Sequence, residues 1–438
     1  MTENTAGNPS ASPPSALARL RERAVRISSY AMWITAGFIL TLAVERLVLH
    51  PYLRAAFGEI QFGAFVWVLG IVNLVGTVAA NGFTINLMRD LKRYEDEFAA
   101  NYIRQAVLLT ATFSFFILVA SALVAYAIAD AAVQENAFAL FSTLIVFSTF
   151  RGMQQVLFAA LRIERKFRTI FLLRVVEGAI LLAILIVAGR QSFWGVGLVY
   201  VFSVLVPFVL AAVREPAFTM RREWWNGQLA RVQLPGWVGG ATLALTEQGQ
   251  LQASRLILGI VTSTTEVTLL YAGTSMGNFF VAPVSIVSGL LFSLIASHQE
   301  SRLTGRRGVL FLAAVIATGV AIWILSHFLG IWLVEWRYPE DAPTTLEFYP
   351  LIAASNGFTA VMILLRPVAI RYLAMRWVTA VSAATVLSQV VLLVWLATTH
   401  GARGAAIALL VSSVVGALLW LGTFIWLARR PTPIKKVS

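Results

Sequence analysis

Apolar residues run along this chain in blocks of twenty or more, with the polar residues gathered in short clusters between them. The stretch from Ala106 to Ala129 has no charged side chain at all. About 20 such residues in a helix cross the hydrocarbon core of a bilayer. The pattern predicts spans at residues 27–49, 62–87, 104–129, 137–161, 168–189, 194–213, 234–258, 267–297, 308–334, 346–365, 377–397 and 404–427. Several exceed the hydrocarbon thickness and must tilt or project past the headgroups. The expected fold class is an all-α polytopic membrane protein of about twelve transmembrane helices.

Composition agrees with that pattern. Of 438 residues, 58% are hydrophobic and 13% charged, whereas a soluble domain carries roughly 25% charged residues. In a soluble protein the net charge of +13 would suggest nucleic acid. Here it matters where the cations fall along the chain. Placing the N-terminus in the cytoplasm puts 27 of the 34 Lys and Arg on inner segments and leaves only Arg54, Arg190, Arg337 and Arg403 in outer loops. The remaining three, Arg46, Arg151 and Arg255, fall inside spans. Shifting the map by one helix would violate the positive-inside rule at every loop. Reporter fusions after Ala131, Ala342 and Thr399 are therefore expected to read periplasmic, and fusions after Lys92, Arg222 and Ser438 cytoplasmic. An inverted signal at any of them would refute the map.

The divisions that follow are a polar tail at residues 1–26 with Arg19, Arg21, Arg23 and Arg26, a first six-helix half at 27–213, a linker at 214–233 with Trp224 and Trp225, a second half at 234–427, and a tail at 428–438. No cleavage site follows the first apolar run, so it reads as a retained helix behind a disordered tail. The largest outer loop, from Glu335 to Glu347, is acidic and reads as a solvated connector. The two halves carry a weak parallel repeat. Residues 45–49 read ERLVL and residues 254–258 read SRLIL, which pairs Arg46 with Arg255, and Glu59 matches Glu266 beyond them. Repeats of this kind are common in transporters.

An ionisable side chain at the bilayer centre costs at least about 2.5 to 3.5 kcal/mol and normally faces protein or a wet cavity. The six in question are Glu45, Arg46, Arg151, Glu177, Glu247 and Arg255. The seventh span is the most polar, with Glu247, Gln248, Gln250, Gln252, Ser254 and Arg255 covering about half of its circumference at 100° per residue. It is expected to line a cavity. Arg46, Arg151, Gln248, Gln252 and Arg255 are the candidate substrate-binding residues, and Glu45, Glu177 and Glu247 the candidate coupling or counter-ion residues. Plainer roles compete with these: Glu45 as the ion-pair partner of Arg46 or Arg255, Glu177 as that of Arg174, and Arg46 reaching the interface. Glu247 reads either as a proton or cation site or as counter-ion to a neighbouring Arg, with Arg255 the Arg in view.

Enzymatic chemistry finds no support in the pattern. There is no cysteine, and His50, His298, His327 and His400 lie near span ends or in loops without ligand spacing. No phosphate-binding Gly-rich loop is present, so no cofactor, metal or catalytic residue is expected. Any driving force must come from an ion gradient, the substrate's own gradient or a partner.

Three segments resemble a known family. They are LHPYLRAAFGEIQFGAF from Leu49 to Phe65 with its Gly58–Gly63 turn, followed by Asn81 to Thr84 and Arg89; FAALRIERKF from Phe158 to Phe167; and HGARGAAIALLVSS from His400 to Ser413. The chain is similar to bacterial polysaccharide flippases, the O-antigen and exopolysaccharide exporters of the multidrug and oligosaccharidyl-lipid superfamily. That resemblance implies two six-helix bundles around a central cavity, alternating access, an inner-membrane location, and export of an undecaprenyl-diphosphate-linked oligosaccharide for surface polysaccharide synthesis. Partners would then be the lipid-linked oligosaccharide, the bilayer, and a polysaccharide polymerase or glycosyltransferases, without nucleic acid. The seventh helix of the family often ends in an Asp-Arg pair, where this chain has Ser254 and Arg255. Two alternatives stand beside this reading: a cation-coupled drug or metabolite antiporter of the same superfamily, and a non-transporting membrane subunit of a polysaccharide synthesis complex.

Overall fold

The structure is a computed structural model that describes residues 32–90, 96–187, 192–215, 218, 227–297 and 306–429. The predicted N-terminal tail, residues 430–438 of the C-terminal one, Lys92, His298 and the linker tryptophans Trp224 and Trp225 lie outside the described residues. Among the described residues every regular element is a helix. Nine continuous helices are long and apolar enough to span a bilayer. Two of them, Met32–Ile85 and Arg376–Arg429, are 54 residues long, more than twice what a crossing requires. Each breaks at a glycine in a left-handed conformation, Gly58 at φ 79° and Gly401 at φ 56°. A side chain disfavours that geometry, and glycine adopts it freely. Each long helix is thus a hairpin of two spans.

With these breaks the helices are α1 (32–57, including a π-helical turn at Val44–Leu49), α2 (59–90), α3 (Asp96–Ile128), α4 (Ala131–Ile163), α5 (Phe167–Leu181, continued by the short Ile184–Val187) and α6 (Phe193–Arg214). The second half repeats the count with α7 (Gly227–Val261), α8 (Thr264–Ser297), α9 (Arg306–Arg337), α10 (Ala342–Tyr372), α11 (375–400) and α12 (402–429). α7 is less apolar than these nine because of its polar side chains. It nevertheless packs along α2 and against the α11–α12 hairpin. The chain therefore has the twelve helices that the hydropathy predicts.

Local chemistry fixes the helix ends. The Asp130 carboxylate caps α4 by accepting from the Val133 N–H at 3.0 Å, and Ser192 caps α6 by accepting from Gly195 at 3.3 Å. Pro367 inside α10 removes the N–H that would bond to the Ile363 carbonyl. The Ser288 hydroxyl of α8 donates to that carbonyl instead, at 2.7 Å. The Glu335–Glu347 segment departs from the expected loop. α9 continues to Arg337 and α10 starts at Ala342, leaving four residues between them.

Packing divides by depth. At the end carrying Gly58, Thr264 and Asp341, which the charge count makes the outer end, one apolar cluster joins both halves: Leu49, Phe62 and Trp67 of the first with Leu258, Leu270 and Phe348 of the second. At the opposite end the cores are separate. One is built from first-half residues such as Phe83, Tyr102 and Phe158, and the other from second-half residues such as Val281, Leu365 and Trp420. The α2–α7 seam crosses both levels. Trp67 Nε1 donates to the Leu256 carbonyl at 3.1 Å near the outer end, and Trp237 Nε1 to the Ala79 carbonyl at 3.0 Å towards the other. The buried cores of the halves are thus joined at the Gly58 end and separate at the other, where Trp237 and Ile85 still pack across.

Candidate functional site

Three ionic groups lie within the spans. The first belongs to the first half. Glu177 on α5 is fully buried, with Arg174 one turn earlier at 2.6 Å, Arg151 of α4 at 3.5 Å and Gln154 Nε2 at 3.4 Å. Two guanidiniums thus share one carboxylate. Arg174 also lies over the Phe158 ring at 5.0 Å. The Arg151 side chain remains 26% exposed and lies 5.5 Å from the Phe147 ring centroid. Hydrocarbon would not tolerate a charge left exposed to it, so the open part of Arg151 is expected to face water or a ligand.

The second group is the pair of Glu247 on α7 and Arg366 on α10, at 2.7 Å, with the Glu247 side chain 32% exposed. This corrects the expectation of Arg255 as the neighbouring Arg. Arg255 is on the same helix eight residues away, about 12 Å at 1.5 Å per residue, beyond the reach of a direct contact. Arg366 was assigned to an inner loop because the tenth span was ended at residue 365, whereas the helix continues to Tyr372. The polar arc of α7 also divides. Gln250 and Ser254 face a cavity of about 30 Å³ within the second half, with Asn356, Gln389 and Ser413, enough room for about one water. Gln252 points the other way, its Oε1 accepting from Arg255 at 3.3 Å. Gln248 is half-buried.

The third group lies in the outer half and draws on both halves. Arg46 donates to the Ser275 carbonyl of α8 at 3.2 Å, so it crosses to the other half instead of reaching for the interface. Arg255 is 4% exposed and stacks over Tyr271 at 4.5 Å. Its Nε has no hydrogen-bond partner. Glu45 lies 3.7 Å from His50, and among the described residues it makes no ion pair with Arg46 or Arg255. The two arginines matched by the repeat therefore meet in one cluster. His50 was expected near a span end, but α1 runs seven residues past it and buries it to 1% exposure.

A clasp at the outer surface was not foreseen. Arg54 was read as a loop cation, yet it forms a two-pronged pair with Asp341, Nε to Oδ2 at 2.9 Å and Nη2 to Oδ1 at 2.7 Å, and also reaches Glu340 at 3.2 Å. Bidentate pairs of this geometry are among the stronger charge-assisted contacts. Beside it, the Thr268 hydroxyl donates to the Glu59 carbonyl at 2.7 Å, and the Ala402 N–H to Glu266 at 2.6 Å.

The same architecture occurs in solved membrane proteins. An inward-facing MATE family multidrug resistance transporter of the MOP superfamily superposes with a TM-score of 0.63 at 16% identity, over 93% of this chain and 100% of that one. A Vibrio cholerae MATE transporter gives 0.64 at 15%, over 93% and 99%. The lipid II flippase MurJ in an inward closed conformation gives 0.68 at 11%, over 92% and 90%. This chain has their fold. Their descriptions name transporters or a flippase, and at these identities the likeness extends to fold alone. No family model matches the sequence, and no curated protein does.

Proposed function

We propose that this protein carries a lipid-linked oligosaccharide across the bacterial inner membrane by alternating access, both termini in the cytoplasm and the two six-helix halves acting as the moving bodies. The observation that carries this reading is the surplus of fixed positive charge within the spans. Arg151 and Arg174 oppose the single carboxylate of Glu177, with Arg151 partly open to solvent. In the outer half, Arg46 and Arg255 stand against Glu45 alone. A diphosphate headgroup suits guanidinium, whose planar fork binds phosphate oxygens in pairs. A cationic drug would be repelled, which weighs against the antiporter alternative. Similarity to a lipid II flippase supports a lipid-linked substrate without specifying the sugar.

The test is flipping by the purified protein in liposomes that carry a fluorescent undecaprenyl-diphosphate sugar, with an impermeant quencher added outside. Transfer faster than in protein-free vesicles is expected. Unaccelerated transfer, with accelerated efflux of a cationic dye in the same vesicles, would favour the antiporter. If neither is accelerated, the reading as a subunit of a synthesis complex gains.

A further inference from the structure

His50 lies among the outer charges, 3.7 Å from Glu45, but makes its own hydrogen bonds to neutral groups. Its ring is held between two phenols from opposite halves. Nε2 lies 3.0 Å from the Tyr200 hydroxyl of α6, and Nδ1 contacts the Tyr271 hydroxyl of α8. Phe62 and Phe65 pack edge-on around it. A neutral imidazole has one N–H and one lone pair, so it can donate to one tyrosine and accept from the other. The neutral ring thus completes the bridge from α6 through α1 to α8; an imidazolium could donate to both phenol oxygens as well, so the two states differ chiefly in charge.

Proton uptake would change the cluster in two ways, of which the added charge is the costly one. Both ring nitrogens become donors, so the tyrosine that donated must turn its hydrogen elsewhere. The new charge also joins an already cationic cluster. The charged and titratable groups around the ring are Glu45 and Arg46 on α1, Tyr200 on α6, Arg255 on α7, Tyr271 on α8 and, behind Tyr271, Tyr338 between α9 and α10. Among the described residues, Glu45 at 3.7 Å is the one carboxylate of this group. An imidazolium would make three cations against one anion in a buried setting, and unbalanced buried charge is costly.

We propose that His50 is a proton-binding latch: neutral, it holds the outer ends of the two halves together, and taking up a proton releases them. Outer opening and proton uptake are then linked, so a lower pH outside favours the opened form. The latch rests on the alternating-access reading above and deepens it by naming an ion that the moving parts sense.

The chain has no cysteine, so one introduced thiol reports without background. Ser275→Cys places it on α8 at a fully buried position beside Arg46. Arg403→Cys, at an exposed outer position, corrects for the slower maleimide chemistry in acid. With an impermeant maleimide applied outside, the Ser275→Cys signal relative to Arg403→Cys should rise as pH falls from about 8 to about 5.5, the range in which imidazoles titrate. The limiting slope for one linked proton is about tenfold per pH unit. His50→Gln can still donate to one phenol and accept from the other, but it does not titrate, and the rise should vanish. Should His50→Gln not reach the membrane, Tyr271→Phe removes one arm and should raise labelling at pH 8 while keeping the response. A ratio flat with pH in the Ser275→Cys protein, or one that rises equally with His50→Gln or does not change at pH 8 with Tyr271→Phe, would overturn the latch. The assay contains no substrate, so failure of the flipping test would leave its outcome intact.

Discussion

Flipping by an Arg151→Ala variant is expected to fall by roughly one to two orders of magnitude while its level in the membrane stays close to that of the parent. The size follows from losing charge-assisted hydrogen bonds to a phosphate oxygen, worth about 1.5 to 3 kcal/mol. The fold survives because Glu177 keeps its 2.6 Å contact with Arg174. Arg151→Lys should recover only part of the rate, since an ammonium restores the charge without the planar fork. Glu177→Gln should behave in the opposite way. It leaves Arg151 and Arg174 together without a counter-charge, and stranding a buried charge costs about 3 to 5 kcal/mol, so the loss should appear as missing folded protein. Membrane level by immunoblot and flipping per molecule in liposomes separate the two effects. Normal flipping by Arg151→Ala would remove the case for an anionic headgroup at this cluster.

The Glu247–Arg366 pair supports a second prediction with two separable outcomes. If Glu247 is a counter-ion, Glu247→Gln strands Arg366, whose Nε already lacks a partner. Folded protein should then drop sharply. A double variant, Glu247→Gln with Arg366→Gln, should regain much of the loss, with a coupling of about 1 to 3 kcal/mol between the two sites. If Glu247 instead binds a proton or cation in each cycle, the single variant should keep its expression and lose only its dependence on an imposed gradient. The 2.7 Å contact favours the counter-ion outcome, and thermal unfolding in detergent beside gradient-driven flipping decides between them. Single and double variants that all match the parent in both assays would leave the pair with neither role.

Legibility in the sequence followed the reach of the forces involved. The spans could be read because transfer into lipid acts on each segment by itself, and the interior charges were visible as polar residues in apolar runs. Glu177 with Arg174 could be anticipated because positions three apart share a helix face. The cross-half contacts could not. Arg54 and Asp341 are 287 residues apart in sequence, and nothing in either neighbourhood specifies the other. The errors at His50, Arg54 and Arg366 share a cause. Each helix continues past the length that hydrocarbon alone requires, so residues assigned to loops became buried in helix. An Arg next to Pro367 inside the run from Met362 to Ile370 was the one available signal for Arg366. The polarity of α7 was read correctly, but its arc was assigned to one cavity, whereas Gln250 and Ser254 face a small cavity and Gln252 turns to Arg255.

The outer end, where a single apolar cluster unites the halves, has a consequence for the idle protein. Parting those surfaces would wet side chains now packed against one another, at about 25 cal/mol for each Å² of apolar area exposed. Each 100 Å² so exposed would cost about 2.5 kcal/mol. If the protein carries cargo as proposed above, the unloaded form would keep the door at this end shut, and the membrane would not leak while substrate is scarce. Cargo that bound both forms equally well could not open that door, however tightly it was held. The passenger must grip the opening form harder than the resting one, so selectivity is exercised at the moment of opening and not only on entry.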